Sequence, residues 1–221
     1  MRKLSRRTIR RRRANVHRVT GRAVKKRETR QRILASAKQI ARREGLRAAS
    51  VPRVMTGAGL TVGGFYAHFD SKTLLDAEVV RTMLVEVSGK PPADLAELRG
   101  LDWLSRVLDL YLHPAHRDNP NGCPYPSVLS EIARAPDVVR RAFSEAFEVR
   151  VKKIEAQVPA TTLCTVRERA LATVALAVGG LLLSRAAAGD RVSDEILVAC
   201  RKFAVPEAGP SSTYDSARFT D

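Results

Sequence analysis

From Ile33 to Phe203 apolar residues recur at every third or fourth position, glycines and prolines stand at the breaks, and no stretch alternates convincingly between apolar and polar. That spacing is one buried helix face, repeated. It restricts the chain to helices packed on helices. Residue usage agrees, with alanine and leucine prominent and aromatics at 5 %, which disfavours a β-sandwich. A chain of 221 residues holds one large domain or two small ones, with enough core to fold unaided.

Ile33, Leu34, Ala37, Ile40 and Ala41 mark a first helix, which Gly45 closes by taking a left-handed conformation. Ser50 offers an N-cap and Pro52 fits a first turn, so a short second helix follows, with Val54 and Ala58 inward and Gly59 at its end. Leu60 reads as a buried turn residue and Thr61 as the cap of a third helix over 62–69. Asp70-Ser71 is a capped turn before a fourth helix over 72–87. Gly89, Pro91 and Pro92 break the chain, and a domain boundary is expected there. The leucines at 95, 98, 101, 104, 108 and 112 then repeat helically, and 118–122 is a loop. Further helices are expected from Pro124 or Pro126 to about Ala135, from Pro136 to Pro159, over 166–187 and over 192–205. The expected segments are 1–27, a disordered basic arm; 28–88 and 93–205, two helical domains; and 206–221, a disordered tail.

The formal charge of +16 sits largely at one end: residues 1–27 hold thirteen Lys or Arg and no acid, and the remainder is only mildly basic. Such an arm suits a polyanion, nucleic acid above all. The alternative is an incidental solvated tail. Residues 9–24 are able to turn helical on a polyanion.

Several function classes fall away. Cys123, Cys164 and Cys200 are odd in number and lack a CxxC pair, which argues against a disulfide framework or structural zinc and fits a reducing compartment. His113 and His116 flank Pro114 and make a poor metal pair, so no metal or cofactor is expected. No phosphate loop, nucleophile elbow or convergent acid–base set is present, so the chain is not read as an enzyme. Ser5-Arg6-Arg7 is followed by charge rather than the apolar core of an export signal. The longest apolar run, 170–183, is short of the ~20 residues that span a bilayer. It reads as a buried helix of a soluble, cytoplasmic protein with no membrane partner.

Residues 50–69 carry the function. Two short helices meet at Gly59-Leu60-Thr61, the geometry of a helix-turn-helix, whose second helix projects its N-terminus toward DNA. Phe65 and Phe69 would anchor that helix, with Tyr66 and His68 pointing away. Thr61, Val62, Gly63, Gly64 and Ala67 form its exposed face. Two adjacent glycines are poor helix formers, but without side chains the backbone can approach a groove closely. Val62 suits a thymine methyl. Tyr66, His68 and Lys72 suit phosphate oxygens.

The runs Thr29-Arg30-Gln31-Arg32-Ile33-Leu34, Ser50-Val51, Ala58-Gly59-Leu60-Thr61 and Phe65-Tyr66-Ala67-His68-Phe69-Asp70-Ser71-Lys72 resemble the DNA-binding domain of the TetR family over roughly residues 28–75. The resemblance implies that the third helix enters the major groove, that Tyr66, His68 and Lys72 hold the backbone, and that Thr61 to Gly64 lie against the bases. Thr29 and Ser50 complete the candidate DNA-facing set with Ala67. Arg53, Met55 and Gly57 depart from the family's usual residues. The basic arm is no general family feature; Arg10 to Arg13 are candidates for reaching a minor groove.

The run 112–118, followed by Gly122-Cys123-Pro124, is similar to the C-terminal domain of one subgroup. The family plan implies a helical domain that binds a small-molecule effector, here with Trp103, Tyr111, Tyr125, Phe143 and Phe147 as candidate pocket residues; the alternative is that they only pack the core. Cys123 joins them as a candidate sensor near a helix N-terminus; the alternative is a small residue filling a loop. The family also implies a homodimer built from the last two helices, with Ala172, Ala175, Gly179, Leu183, Ile196 and Phe203 as the candidate interface and a near-palindromic double-stranded operator. The expectation is therefore a ligand-responsive repressor. The alternative is a nonspecific nucleic-acid binder driven by its arm.

Overall fold

The computed structural model describes residues 6–87, 92–119, 121–160 and 164–205, with the backbone alone over 6–20 and at 22. Among these residues every regular element is helical. The chain forms two compact units. The first takes its described residues from Met1–Gly89 and Cys123–Glu148, the second from Lys90–Gly122 and Val149–Asp221.

The first unit contains α1 (Arg6–Glu44), α2 (Val51–Gly57), a 3-10 helix (Val62–Ala67), α3 (Lys72–Val87), α6 (Tyr125–Ile132) and α7 (Asp137–Glu155) as far as Glu148. Ile33, Ala37 and Ala41 of α1 are buried together with Val54 and Met55 of α2 and Leu75, Val79, Met83 and Leu84 of α3. α1 packs on α2, α3 and α6. Its C-terminus is set by Gly45, whose φ of 90° favours glycine. The turn after it is held by Glu131 of α6, whose Oε2 accepts the Arg47 N–H at 2.8 Å. That is how the segment from Cys123 comes to pack with the N-terminal helices, a grouping the sequence breaks do not reveal.

α1 also differs from expectation at its start. It is helical from Arg6, through most of the segment read as a disordered arm. Arginine, lysine and alanine are good helix formers, and no proline interrupts them. Residues 206–221, read as a disordered tail, lie outside the described residues, as do the breaks at Gly89 and Pro91.

The second unit holds a 3-10 turn (Ala93–Ala96), α4 (Gly100–Tyr111), α5 (Pro114–Arg117), the end of α7, α8 (Val166–Ala186) and α9 (Arg191–Ala204). The leucine repeat is thus not one helix: Gly100 takes φ 61° and separates the 3-10 turn from α4. α8 starts in a capping box, with the Glu168 N–H donating to Thr165 Oγ1 at 3.2 Å and the Thr165 N–H to Glu168 Oε2 at 2.8 Å. α8 and α9 pack closely because a Cβ at Gly180 would lie 2.6 Å from Cys200 Sγ. Ser184 and Ser193 satisfy one another across that contact, with Ser193 Oγ donating to the Ser184 carbonyl at 2.7 Å. At 21 residues α8 is long and apolar enough to cross a membrane. It nevertheless buries Ala170, Val174, Ala177, Gly180 and Leu181 inside the protein, as a core helix does.

Candidate nucleic-acid interface

The helix-turn-helix is fixed from beneath by polar contacts from α1. Ser36 Oγ donates to the Val54 carbonyl at 2.9 Å, and Arg32 Nη2 to the Ala58 carbonyl at 2.5 Å. Gly57 leaves room for this contact, since a Cβ would sit 2.5 Å from Ser36 Oγ and force the hydroxyl to shift. Arg53 is held outside by Glu44, with both guanidinium nitrogens donating at 2.8 and 2.9 Å. This pairing holds the Glu44 carboxyl below its ordinary value. Met55 is buried under the turn. All three departures from the family's usual residues therefore have local reasons.

At the turn, Gly59 takes φ 66°, and the Leu60 N–H closes back on the Met55 carbonyl at 2.9 Å. Leu60 itself is half-buried rather than buried. Ser50 and Thr61 occupy the N-cap positions of their helices, but neither side chain makes a capping hydrogen bond.

The segment expected as an α-helix over 62–69 is a 3-10 helix over Val62–Ala67. Gly63-Gly64 weakens α-helical propagation, and a six-residue segment without a side-chain cap settles into the tighter winding. Phe65 is fully buried and Phe69 nearly so. Their rings stack at 5.8 Å between centroids. The Arg30 guanidinium lies 4.5 Å from the Phe69 ring centroid and pairs with Glu78 of α3, so α1, α3 and the 3-10 helix lock together.

With the phenylalanines turned in, the opposite face is bare. Val62 is 47 % exposed and Tyr66 70 % exposed, with Thr61, Gly63 and Ala67 also exposed and Gly64 half-buried. His68 is half-buried, and its Nδ1 is enclosed without a hydrogen-bond partner, so it does not simply point away from the core. Lys72 differs more from expectation. Its ammonium donates to the Leu46 carbonyl at 3.3 Å and pairs with Asp76, bracing the turn after α1. Burial keeps the Asp76 carboxyl above its ordinary value in spite of that lysine. Thr29 and Ser50 are half-buried. Sequence reading missed Arg30, Arg32 and Ser36 as the positioning residues. Their signal was a polar side chain on the packed face of α1.

The candidate effector residues fall into two groups. Tyr125, Phe143 and Phe147 meet in the first unit, with ring centroids 6.3 and 5.4 Å apart. Cys123, in the same unit, is 4 % exposed, so its thiol is buried, whereas a sensor is expected to be accessible. Tyr111 and Trp103 belong to the second unit and are half-buried. There Tyr111 packs edge-on against His116 at 4.9 Å. Among the described residues no cluster of His, Cys, Asp or Glu could hold a metal ion.

The candidate dimer residues are more exposed than a monomer core requires. Leu183 is 60 % and Phe203 86 % exposed, and Ala172 and Ala175 are exposed beside them. A Cβ at Gly179 would meet open space. Ile196 is half-buried. Leu182, Val192 and Val198, absent from the sequence expectation, are also exposed.

Residues 33–79 match the family model described as bacterial regulatory proteins, tetR family. No curated protein sequence matches the chain. Among solved structures, a TetR-family regulator from Agrobacterium tumefaciens is similar at 19 % identity and TM-score 0.62, covering 80 % of this chain and 98 % of its own. Escherichia coli NemR in reduced form is similar at 16 % identity and TM-score 0.63, covering 80 % and 95 %. A regulator from Saccharomonospora viridis, solved in complex with choline, gives 18 % identity and TM-score 0.64 over 80 % and 95 %. At these identities the structures share a fold. Residues 33–79 thus carry the helix-turn-helix domain of the tetR family of bacterial regulatory proteins, within a chain that shares the all-α fold of these solved regulators.

Proposed function

We propose that this protein is a ligand-responsive repressor that binds a near-palindromic operator as a homodimer in the cytoplasm. The observation that carries the DNA-reading part is the Val62–Ala67 segment: Phe65 is fully buried while Val62 and Tyr66 stand in solvent. A rigid base with a bare glycine front suits close approach to a major groove. Val62 and the Gly63-Gly64 backbone lie against bases. Tyr66, Thr61 and Ser50 offer hydroxyls to phosphates, with His68 behind them. Thr29 and Ala67 flank this set, and Lys72 contributes by bracing it rather than as a free phosphate donor.

The exposed apolar residues of α8 and α9 support self-association, since an unpartnered face carrying Phe203, Leu183 and Leu182 costs solvation energy until it is covered. Twofold symmetry then presents two reading segments to successive grooves. A small-molecule effector acts by binding one spacing of these segments better than the other, and its effect is bounded by that differential affinity. The choline in the Saccharomonospora viridis structure supports an organic ligand for this fold without naming the one used here.

The test is site selection from a random duplex pool, followed by Tyr66→Phe and His68→Ala titrations. The reading expects a symmetric preferred site and a similar loss on every sequence for both variants. Absence of any preferred sequence would favour the nonspecific binder instead.

A further inference from the structure

We infer that the N-terminal extension of α1 is a helical contact to the phosphate backbone of duplex flanking the half-site; this rests on the DNA-binding reading above. α1 runs unbroken for 39 residues, ~58 Å at ~1.5 Å per residue. Its packed part begins near Thr29, and Ala23 to Glu28 are exposed. Residues 6–28, continuing as helix ahead of that packed part, measure about 35 Å, close to one turn of DNA at ~34 Å. This extension carries almost all the cations of a 27-residue segment without a single acid. Arg6 and Arg10, Arg7 and Arg11, and Arg18 and Arg22 stand four apart, a like-charge spacing that destabilises an isolated helix. A polyanion relieves it.

The spacing also gives the extension a side. Arg7, Arg11, Arg18, Arg22 and Lys25 follow one another at intervals of four, seven, four and three, which keeps them on one row of a 3.6-residue helix. The same row continues through Thr29, Arg32 and Ser36. Arg32 and Ser36 donate to carbonyls of α2. By helical register the row continues the side of α1 from which Arg32 and Ser36 reach the helix-turn-helix. A helix about 10 Å wide does not enter a minor groove of about 6 Å, so in this form Arg10 to Arg13 do not read the minor groove as a flexible arm would. The contact is to phosphates and carries no base information.

The experiment compares four proteins on a duplex taken from the selected pool, prepared with two extra turns beyond each half-site or with none. The proteins are the full chain, a deletion of residues 1–27, a five-site row variant (Arg7, Arg11, Arg18, Arg22 and Lys25, each to Gln), and a five-site off-row variant (Arg6, Arg10, Arg12, Arg13 and Arg27, each to Gln). On the long duplex the deletion and the row variant lower the slope of log affinity against log salt by about 4.5 per protomer, at ~0.9 per lost phosphate contact. The off-row variant lowers it by much less. On the trimmed duplex the four slopes converge, and all four proteins keep the same preferred site. Equal slopes for the full chain and the deletion on the long duplex would overturn the inference, as would equal losses from the two five-site variants. Capture of anionic vesicles by the full chain alongside an unchanged duplex slope would assign the helix to a membrane surface and overturn it too. Loss of the preferred site on deletion would instead overturn the helix-turn-helix reading.

Discussion

Substituting Gly63 by alanine separates folding from DNA reading at a single atom. A Cβ at Gly63 meets nothing within 4 Å, and the residue's φ is not positive, so the free protein accepts alanine without strain. Removing glycine's extra freedom in the unfolded chain then stabilises the fold by about 0.5–1 kcal/mol. That raises the melting temperature by about 2–4 °C per kcal/mol for a chain of this size. Bound to DNA, the same methyl occupies the gap through which the backbone nears the bases. The loss of a close groove contact is worth about 1–3 kcal/mol, or roughly 5- to 150-fold in affinity. Gly63→Leu loses more. The assays are thermal unfolding by circular dichroism and fluorescence anisotropy on the selected duplex. If Gly63→Leu folds normally and binds the duplex with unchanged affinity, the glycine face is not in the groove.

Phe203→Asp places a charge on the exposed end of α9 and should shift the mass measured by light scattering from dimer to monomer while leaving helicity unchanged. Glu131→Ala removes the acceptor of the Arg47 N–H and should cost about 0.5–1.5 kcal/mol, with faster hydrogen exchange at that amide. His116 Nδ1 donates to the Tyr111 carbonyl at 2.6 Å, and burial holds its pKa below the ordinary 6.5. Below that pH the unfolded chain takes up a proton that the folded one resists, so stability falls as pH drops, by up to about 1.4 kcal/mol per pH unit. In denaturant titrations between pH 7 and 5, His116→Asn should flatten this dependence; an unaltered slope would exclude His116 as its source.

Much of this architecture was legible because it depends on local rules. Gly45, Gly59 and Gly189 take the positive φ that ends or turns a helix. Ser71 caps α3 by accepting the Leu74 N–H at 3.1 Å, and the Phe65/Phe69 spacing puts both rings inside. What depended on distant partners was not legible. Lys72 looks like a phosphate donor until Leu46 and Asp76 are folded against it. Cys123 stands beside a helix start, where a thiolate is favoured, but is buried. The 3-10 winding of 62–67 reflects a balance between two glycines and two anchored rings, which periodicity does not weigh. The arm was read from charge as disordered, although arginine and lysine favour helix and no proline stops α1 from continuing.

Hydrogen exchange across the Thr61–Ala67 backbone, with and without saturating selected duplex, bears most directly on the claim that this bare front seats in DNA. Slowed exchange at Val62, Gly63 and Gly64 on adding duplex, with little change in α8, is the expected pattern. Unchanged exchange there, with protection found only along 6–28, would show that the duplex is held by charge and that the glycine face stays in water.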